Sequence, residues 1–403
     1  MKKHFILYVG AIVLNVSYSM ADSAHSEESL KKSSISNYFK NTYEESDEAF
    51  NQSINKIQQI SPESKKIDFN YSQGNVRTYV WKSQKKSENA VVIISGTHGV
   101  EGFVGSAVQR WLIDQDFTKQ RKNTDIILIH GLNVYGFKNQ RRVNEDNVDL
   151  NRNFLIEREH FSIDDTAYNN LNDFLNPERS AEYSFLSKAK FLAEAGIKIL
   201  KFGLENLRNP ILQGQYTLPK GIFYGGSKNA PQAELLKKLA NEELLDYKKI
   251  ILIDLHTGYG KKGKLHLLAG AANDKNSEVL KKIFNPLDVD FGDQKSFYLT
   301  HGEMIKYLQD LILSAKTENN VTIANITFEY GTLDSQTSLG SIESLRRIVY
   351  ENQNHWHEAQ SMQENQKIKQ EFLEMFYPQD TAWYEQIIEQ SDKHFRTVFN
   401  WLK

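Results

Sequence analysis

The apolar residues of this chain fall into two alternating kinds of pattern. Val76-Arg77-Thr78-Tyr79-Val80-Trp81 alternates with a period of two, as a half-buried strand does. Val91 to Ile94 is a continuous β-branched run closed by Ser95-Gly96, which predicts a strand buried on both faces. Ile126 to Ile129 and Ile250 to Leu255 repeat that signal, and Val321 to Phe328 is a fourth, more alternating strand. Between them the spacing turns helical: Ile35 to Ile60, with Phe39, Phe50, Ile54 and Ile57 on one face, and Val104 to Leu112. Strands separated by helical stretches predict an α/β fold, a mixed, mostly parallel central sheet with helices on both faces. Residues 154–213 carry no strand signal and read as a helical insertion between sheet strands. After Gly340 the chain is helical to Lys403. The division that follows is a signal peptide at 1–21, a polar leader and helix at 22–60, and one domain at 61–403.

The first residues change the picture of where the protein works. Lys2 and Lys3 precede an apolar run from Phe5 to Val16, and Ser19-Met20-Ala21 supplies small residues for cleavage after Ala21. That is the layout of a secretory signal peptide, so export to the periplasm or medium is expected, with no stable membrane insertion after cleavage. The chain of 403 residues is 40 % hydrophobic and 25 % charged, ample for a core. Its net charge of -2 offers nothing to a nucleic acid. There is no Cys, which excludes disulfides, a thiol nucleophile and any Cys-based metal site. Metal chemistry here must use His and carboxylates.

Four strand ends concentrate polar residues, where sheets of this kind place their sites. In Ser95-Gly96-Thr97-His98-Gly99-Val100-Glu101-Gly102, an imidazole and a carboxylate three apart share one side of a Gly-rich turn. A solvated loop could carry the same pair. Ile253-Asp254-Leu255-His256 adds a second His at a buried strand end. Two His and one carboxylate, the third ligand far along the chain, are the donors of a catalytic zinc site with one open position. Arg141 and Arg142, with Asp149-Leu150-Asn151-Arg152-Asn153-Phe154, form a loop suited to clamping an anion or steadying an oxyanion. Glu329, ending an apolar strand, needs a partner to be buried and could take a proton from water. His130, His266 and His301 lack an adjacent acidic partner at ligand spacing, His355 and His357 fall on different faces of a helix, His4 lies in the signal peptide, and His25, His160 and His394 lie in polar or helical surface contexts. No phosphate-binding Gly loop and no Gly-x-Ser-x-Gly elbow is present.

Taken in order, His98-x-x-Glu101, Asp149-x-Asn151-Arg152, His256 and Glu329 resemble the zinc carboxypeptidases of the carboxypeptidase A type, with their aspartoacylase and succinylglutamate desuccinylase-like branch. A bacterial subgroup of unknown function is the nearest resemblance, which covers residues 70–350. It implies one zinc per chain held by His98, Glu101 and His256, with Asp149 orienting the first imidazole. It implies Asn151 and Arg152 on the substrate carboxylate, Arg142 or Arg141 on the scissile carbonyl, and Glu329 as general base. Tyr259, Tyr298 and Tyr330 are candidates for the Tyr that closes over substrate. The expected activity is hydrolysis of an amide or peptide bond next to a free carboxylate. Deacylation of an N-acyl amino acid is the alternative within the superfamily, and a non-catalytic carboxylate-binding protein the alternative outside it. The patches Gln213-Gly214-Gln215-Tyr216 and Phe223-Tyr224-Gly225-Gly226 read equally as a pocket wall or as ordinary turns.

Overall fold

The computed structural model describes residues 35–115, 123–156, 164–292, 300–316 and 321–403, without the side chains of 204–206. The signal-peptide expectation and Tyr298 lie outside the described residues. Eight strands form one sheet: β1 (Lys65–Tyr71), β2 (Gly74–Trp81), β3 (Asn89–Ser95), β4 (Thr124–His130), β5 (Lys249–Thr257), β6 (Leu265–Ala271), β7 (Val289–Gly292) and β8 (Thr322–Tyr330). Nine helices of nine residues or more are described. They are α1 (Tyr43–Ile60), α2 (Gly102–Asp114), α3 (Phe185–Phe202), α4 (Leu204–Gln213), α5 (Lys275–Ile283), α6 (Met304–Ala315), α7 (Ser338–His357), α8 (Met362–Phe376) and α9 (Thr381–Trp401).

The strand order is β1-β2-β4-β3-β5-β8-β6-β7. The central four strands, β4-β3-β5-β8, are parallel; β1 and β2 pair antiparallel on one side, and β6 runs antiparallel to β8 on the other. The mixed, mostly parallel sheet is therefore an α/β fold with helices on both faces. The five sequence-read strands correspond to β2, β3, β4, β5 and β8, with Val321 one residue ahead of β8. Three were not read: β1, β6 and β7 lie outside the parallel centre. Lys65-Lys66-Ile67-Asp68 is too polar to resemble the apolar runs of a doubly covered strand, and the apolar run of β6 is broken by His266 and Gly270. The first predicted helix is shorter than expected, since Thr42 caps α1 by accepting from the Glu45 amide.

The period of two distributes the sheet's residues between layers. Val91 and Ile93 of β3 pack with α1, α2 and α9, and Ala90, Val92 and Ile94 face the other layer with α6. Burying a Val or Ile side chain contributes about 1.5–3 kcal/mol, so these doubly covered strands form the rigid centre. A third apolar cluster joins the helical insertion to α7, through Phe174, Phe191, Leu207, Ile211, Val349 and Tyr350.

The chain goes from β3 through α2 to β4 on one side, while β5 lies on β3's other flank. This reversal opens a crevice at the carboxyl ends of β3 and β5.

Candidate metal centre

The turn after β3 is built by close backbone approach. Gly96 has φ of +71°, and a Cβ on Gly99 would fall 2.1 Å from the Gly136 carbonyl carbon. Only glycine fits at Gly99. The amides of Gly99 and Val100 bond the carbonyls of Arg142 and Arg141, which pins the turn to that loop. His98 and Glu101 are thereby fixed on the crevice side, 4 % and 1 % exposed. His256 enters from the end of β5, in register beside Glu329 of β8.

The donor atoms converge. His98 Nδ1 is 2.8 Å from one Glu101 carboxylate oxygen, His256 Nδ1 is 2.9 Å from the other, and the two Nδ1 atoms are 3.2 Å apart. On the far side of each ring, Nε2 meets a different carboxylate: Asp149 at 3.1 Å from His98, and Asp254 at 2.7 Å from His256. A proton on each Nε2 satisfies those contacts. That leaves both Nδ1 lone pairs, together with a carboxylate, aimed at one point. Two lone pairs at that distance repel unless a cation or a proton lies between them. The donor set, of neutral imidazoles held by outer carboxylates, fits a divalent metal ion. His98, Glu101 and His256 offer ligand atoms within 4.8 Å of one another.

The outer carboxylates are themselves anchored. Asp149 is fully buried and accepts from Arg142 Nε at 2.9 Å and the Asn151 amide at 2.9 Å. Burial alone would raise its pKa, but Arg142 and His98 outweigh that and hold the pKa well below the ordinary carboxylate value. Asp254 accepts from the Thr97 hydroxyl at 2.9 Å. Glu101 receives the Thr257 amide at 3.0 Å, and its carboxyl lies far below the ordinary value, the two imidazoles prevailing over burial. His256 is raised well above the ordinary value despite burial, because Asp254 and Glu101 favour its charged form.

Glu329 is buried beside this cluster and accepts from the Tyr259 amide at 2.8 Å. Burial first, then the Glu101 carboxylate, push it up to about 8. A positive charge at the cluster would draw it down again.

A cavity of about 890 Å³ opens over these residues. His98, Glu101, His256, Glu329, Arg142, Asn151, Arg152 and Tyr259 all line it. Arg142 stacks its guanidinium 5.1 Å from the Phe223 ring. Arg152 is held by the carbonyls of Leu212 and Asn151, and Asn151 Oδ1 accepts from the Met304 amide, leaving its NH2 group as the donor it offers. Gly214 packs within 2.9 Å of Arg152, counted from where a Cβ would stand, and Tyr216 donates to the Arg152 carbonyl. Of the two Gly-aromatic patches, only Phe223 lines the cavity, while Gly214 and Tyr216 stand behind Arg152.

Two expected substrate residues lie elsewhere. Arg141 points into a separate cavity, where it meets Glu351 at 2.7 Å and Asn147 at 3.2 Å. Of the two candidates, only Arg142 faces the cluster. Tyr330 follows Glu329 on β8, and successive strand residues face opposite layers. Its hydroxyl meets Ser391 of α9 at 2.7 Å, on the far side of the sheet. Conversely, Asp254 was not singled out from the sequence. The signal was present: Asp254-x-His256 on a strand puts both side chains on one face.

Solved structures similar over most of this chain include bovine thrombin-activatable fibrinolysis inhibitor in complex with tick carboxypeptidase inhibitor, at 16 % identity and TM-score 0.43, covering 78 % of this chain and 96 % of that one. A metallo-carboxypeptidase from Pseudomonas aeruginosa shares 12 % identity at TM-score 0.37, covering 87 % of this chain and 71 % of that one. The succinylglutamate desuccinylase of Chromobacterium violaceum shares 11 % at TM-score 0.34, covering 76 % and 75 %. No curated protein matches in sequence. The model of the family described as Protein of unknown function (DUF2817) matches residues 39–390, and the chain belongs to that family.

Proposed function

We propose that the protein is a metal-dependent hydrolase, with zinc the ion its donors suit best, that cleaves an amide bond next to a free carboxylate. The observation that carries this reading is the pair of inward-facing Nδ1 atoms around Glu101, with the acid Glu329 in register beside His256. His98, Glu101 and His256 would hold a divalent ion, which would supply Lewis acidity towards a carbonyl and a water molecule.

The remaining work falls to the chain's own groups. Glu329 takes a proton from the attacking water and returns it to the nitrogen of the leaving amine. The Tyr259 amide holds its carboxylate in place. Arg142, fixed by Asp149, presents positive charge to the oxygen that gains charge as the carbonyl is attacked. Asn151 and Arg152 bind the substrate carboxylate, which sets the scissile bond at the cluster. The apolar cavity wall favours a second version of the reading, an N-acyl amino acid deacylase. Ile199, Leu207, Ile211, Leu212 and Phe223 line the cavity beside the polar cluster and suit an acyl group.

The test is a substrate panel on zinc-loaded protein: blocked dipeptides, N-acyl amino acids, and the same compounds with the carboxylate amidated. Hydrolysis of one of the two free-acid classes, lost on amidation, is expected. Equal turnover of the amidated compounds would remove the carboxylate requirement. No hydrolysis in any arm would overturn the assignment.

A further inference from the structure

Helix α3 buries only Phe191 and Ala195 of its 18 residues. At 3.6 residues per turn, Phe185, Leu186, Ala189, Leu192, Ala193, Ile197 and Leu200 fall on one arc, away from those two. That arc faces outward. Phe185 and Leu200 are each 89 % exposed, Leu186 73 % and Ile197 65 %. A soluble helix normally turns its charges out and its apolar face in; here the outward face is the apolar one. Contiguous exposed apolar surface of this kind marks an interaction site.

The edge of the arc is cationic. Lys190 and Lys201 border it, and neither has an ion-pair partner among the described residues. The helix carries four Lys against one Glu, and Lys188 and Lys198 are already paired, with Glu371 and Glu194. Two copies joined through this arc would bring unpaired Lys edges together without compensating acids. An anionic surface meets both features at once, apolar depth and phosphate at its rim. No described helix is long and apolar enough to cross a membrane, so such a helix lies on the surface.

We propose that α3 docks this protein on an anionic lipid surface, with Leu186, Ile197 and Leu200 among the acyl chains and Lys190 and Lys201 at the phosphates. The inner side of the same helix supplies Ala195 and Ile199 to the wall of the catalytic cavity. On the hydrolase reading, this sets the cavity wall against the layer from which an acyl-bearing substrate would come. The docking itself needs no turnover and is measured without it, so its failure is distinct from failure of the hydrolase reading.

The chain has no Cys, so Ala193→Cys in the full chain takes a single environment-sensitive dye on the exposed arc. A blue shift is expected on adding phosphatidylethanolamine/phosphatidylglycerol vesicles, with a smaller one on phosphatidylcholine alone. Adding Leu186→Asp and Leu200→Asp to the labelled chain should weaken vesicle affinity by tenfold or more, since each substitution puts a charge where an apolar side chain would enter the acyl layer. Three results would overturn the proposal. One is no shift with the anionic vesicles. Another is a dye already blue-shifted in the monomer without lipid, which means the arc is covered by the chain's own residues. The third is a lipid-independent shift that tracks a dimer in light scattering.

Discussion

The two walls of the cavity over the metal-ligating cluster are built by opposite means. The sheet-end wall is a closed polar network: His98, Glu101, His256, Asp149, Asp254 and Arg142 are nearly all buried, and their neighbours hold one another within 2.7–3.2 Å. The facing wall comes from α3, α4 and α7 and is largely apolar, with Ile199, Leu207, Ile342 and Leu345. Its ties to α8 combine apolar contacts of Ile368 with an ion-pair group, where Glu371 of α8 meets Lys188 of α3 and Arg346 of α7 at 2.7 Å each. A network of buried charges tolerates no missing member, because each loss strands a charge. An apolar wall tolerates changes of volume. The chemistry should therefore be brittle at the sheet end and the choice of substrate adjustable at the helical wall.

That contrast can be broken in order of severity. His256→Ala removes an inward donor and strands Asp254; metal content and turnover should both vanish, read by elemental analysis and the substrate panel. Glu329→Gln should keep the metal while turnover falls by roughly 10²–10⁴-fold, the range for a general acid–base group. The two variants together separate holding the ion from moving the proton. Asp254→Asn keeps the shape but weakens the carboxylate behind His256; metal affinity should drop about 10–100-fold in a chelator competition. Tyr330→Phe should lose only the hydrogen bond to Ser391, about 1 kcal/mol of stability in a denaturant melt, with kcat/KM unchanged. A large loss of turnover in that variant would return Tyr330 to the site.

Acidity probes both walls. As the proposed general base, Glu329 must be ionised to act, so kcat should rise with pH through a limb between the ordinary 4.5 and about 8, and Glu329→Gln should lack that limb. At the helical wall, Glu371 is held down to about 2, because bonds from Lys188, Tyr183 and Arg346 outweigh burial. A depressed carboxyl contributes stability above its ordinary 4.5, and the contribution is lost as pH falls through 2. Hydrogen exchange in α3 should accelerate in that acid range before the sheet opens.

The same division explains what could be read from sequence. β3, β4 and β5 were legible because a strand covered on both faces must be apolar throughout, and the donors were legible because they sit where those runs end. β6 and β7, at the edge, had no such constraint. Tyr330 follows Glu329 along the chain, but strand alternation sends it to the other layer, where its hydroxyl meets Ser391. Arg141 and Arg142 are adjacent and chemically alike; only the bend after Gln140, with φ of +53°, decides which faces the cluster. Asp254 shows that an outer carboxylate is readable when strand parity is applied. The outward apolar face of α3 has helical periodicity like a buried one, so periodicity alone could not reveal that it faces solvent.

The most direct test of the central claim is metal analysis of the purified protein beside His256→Ala, both after incubation with zinc and removal of excess. About one divalent ion per chain in the parent, lost in the variant, is the predicted result. A parent that binds none, or a variant that binds as much, would contradict it.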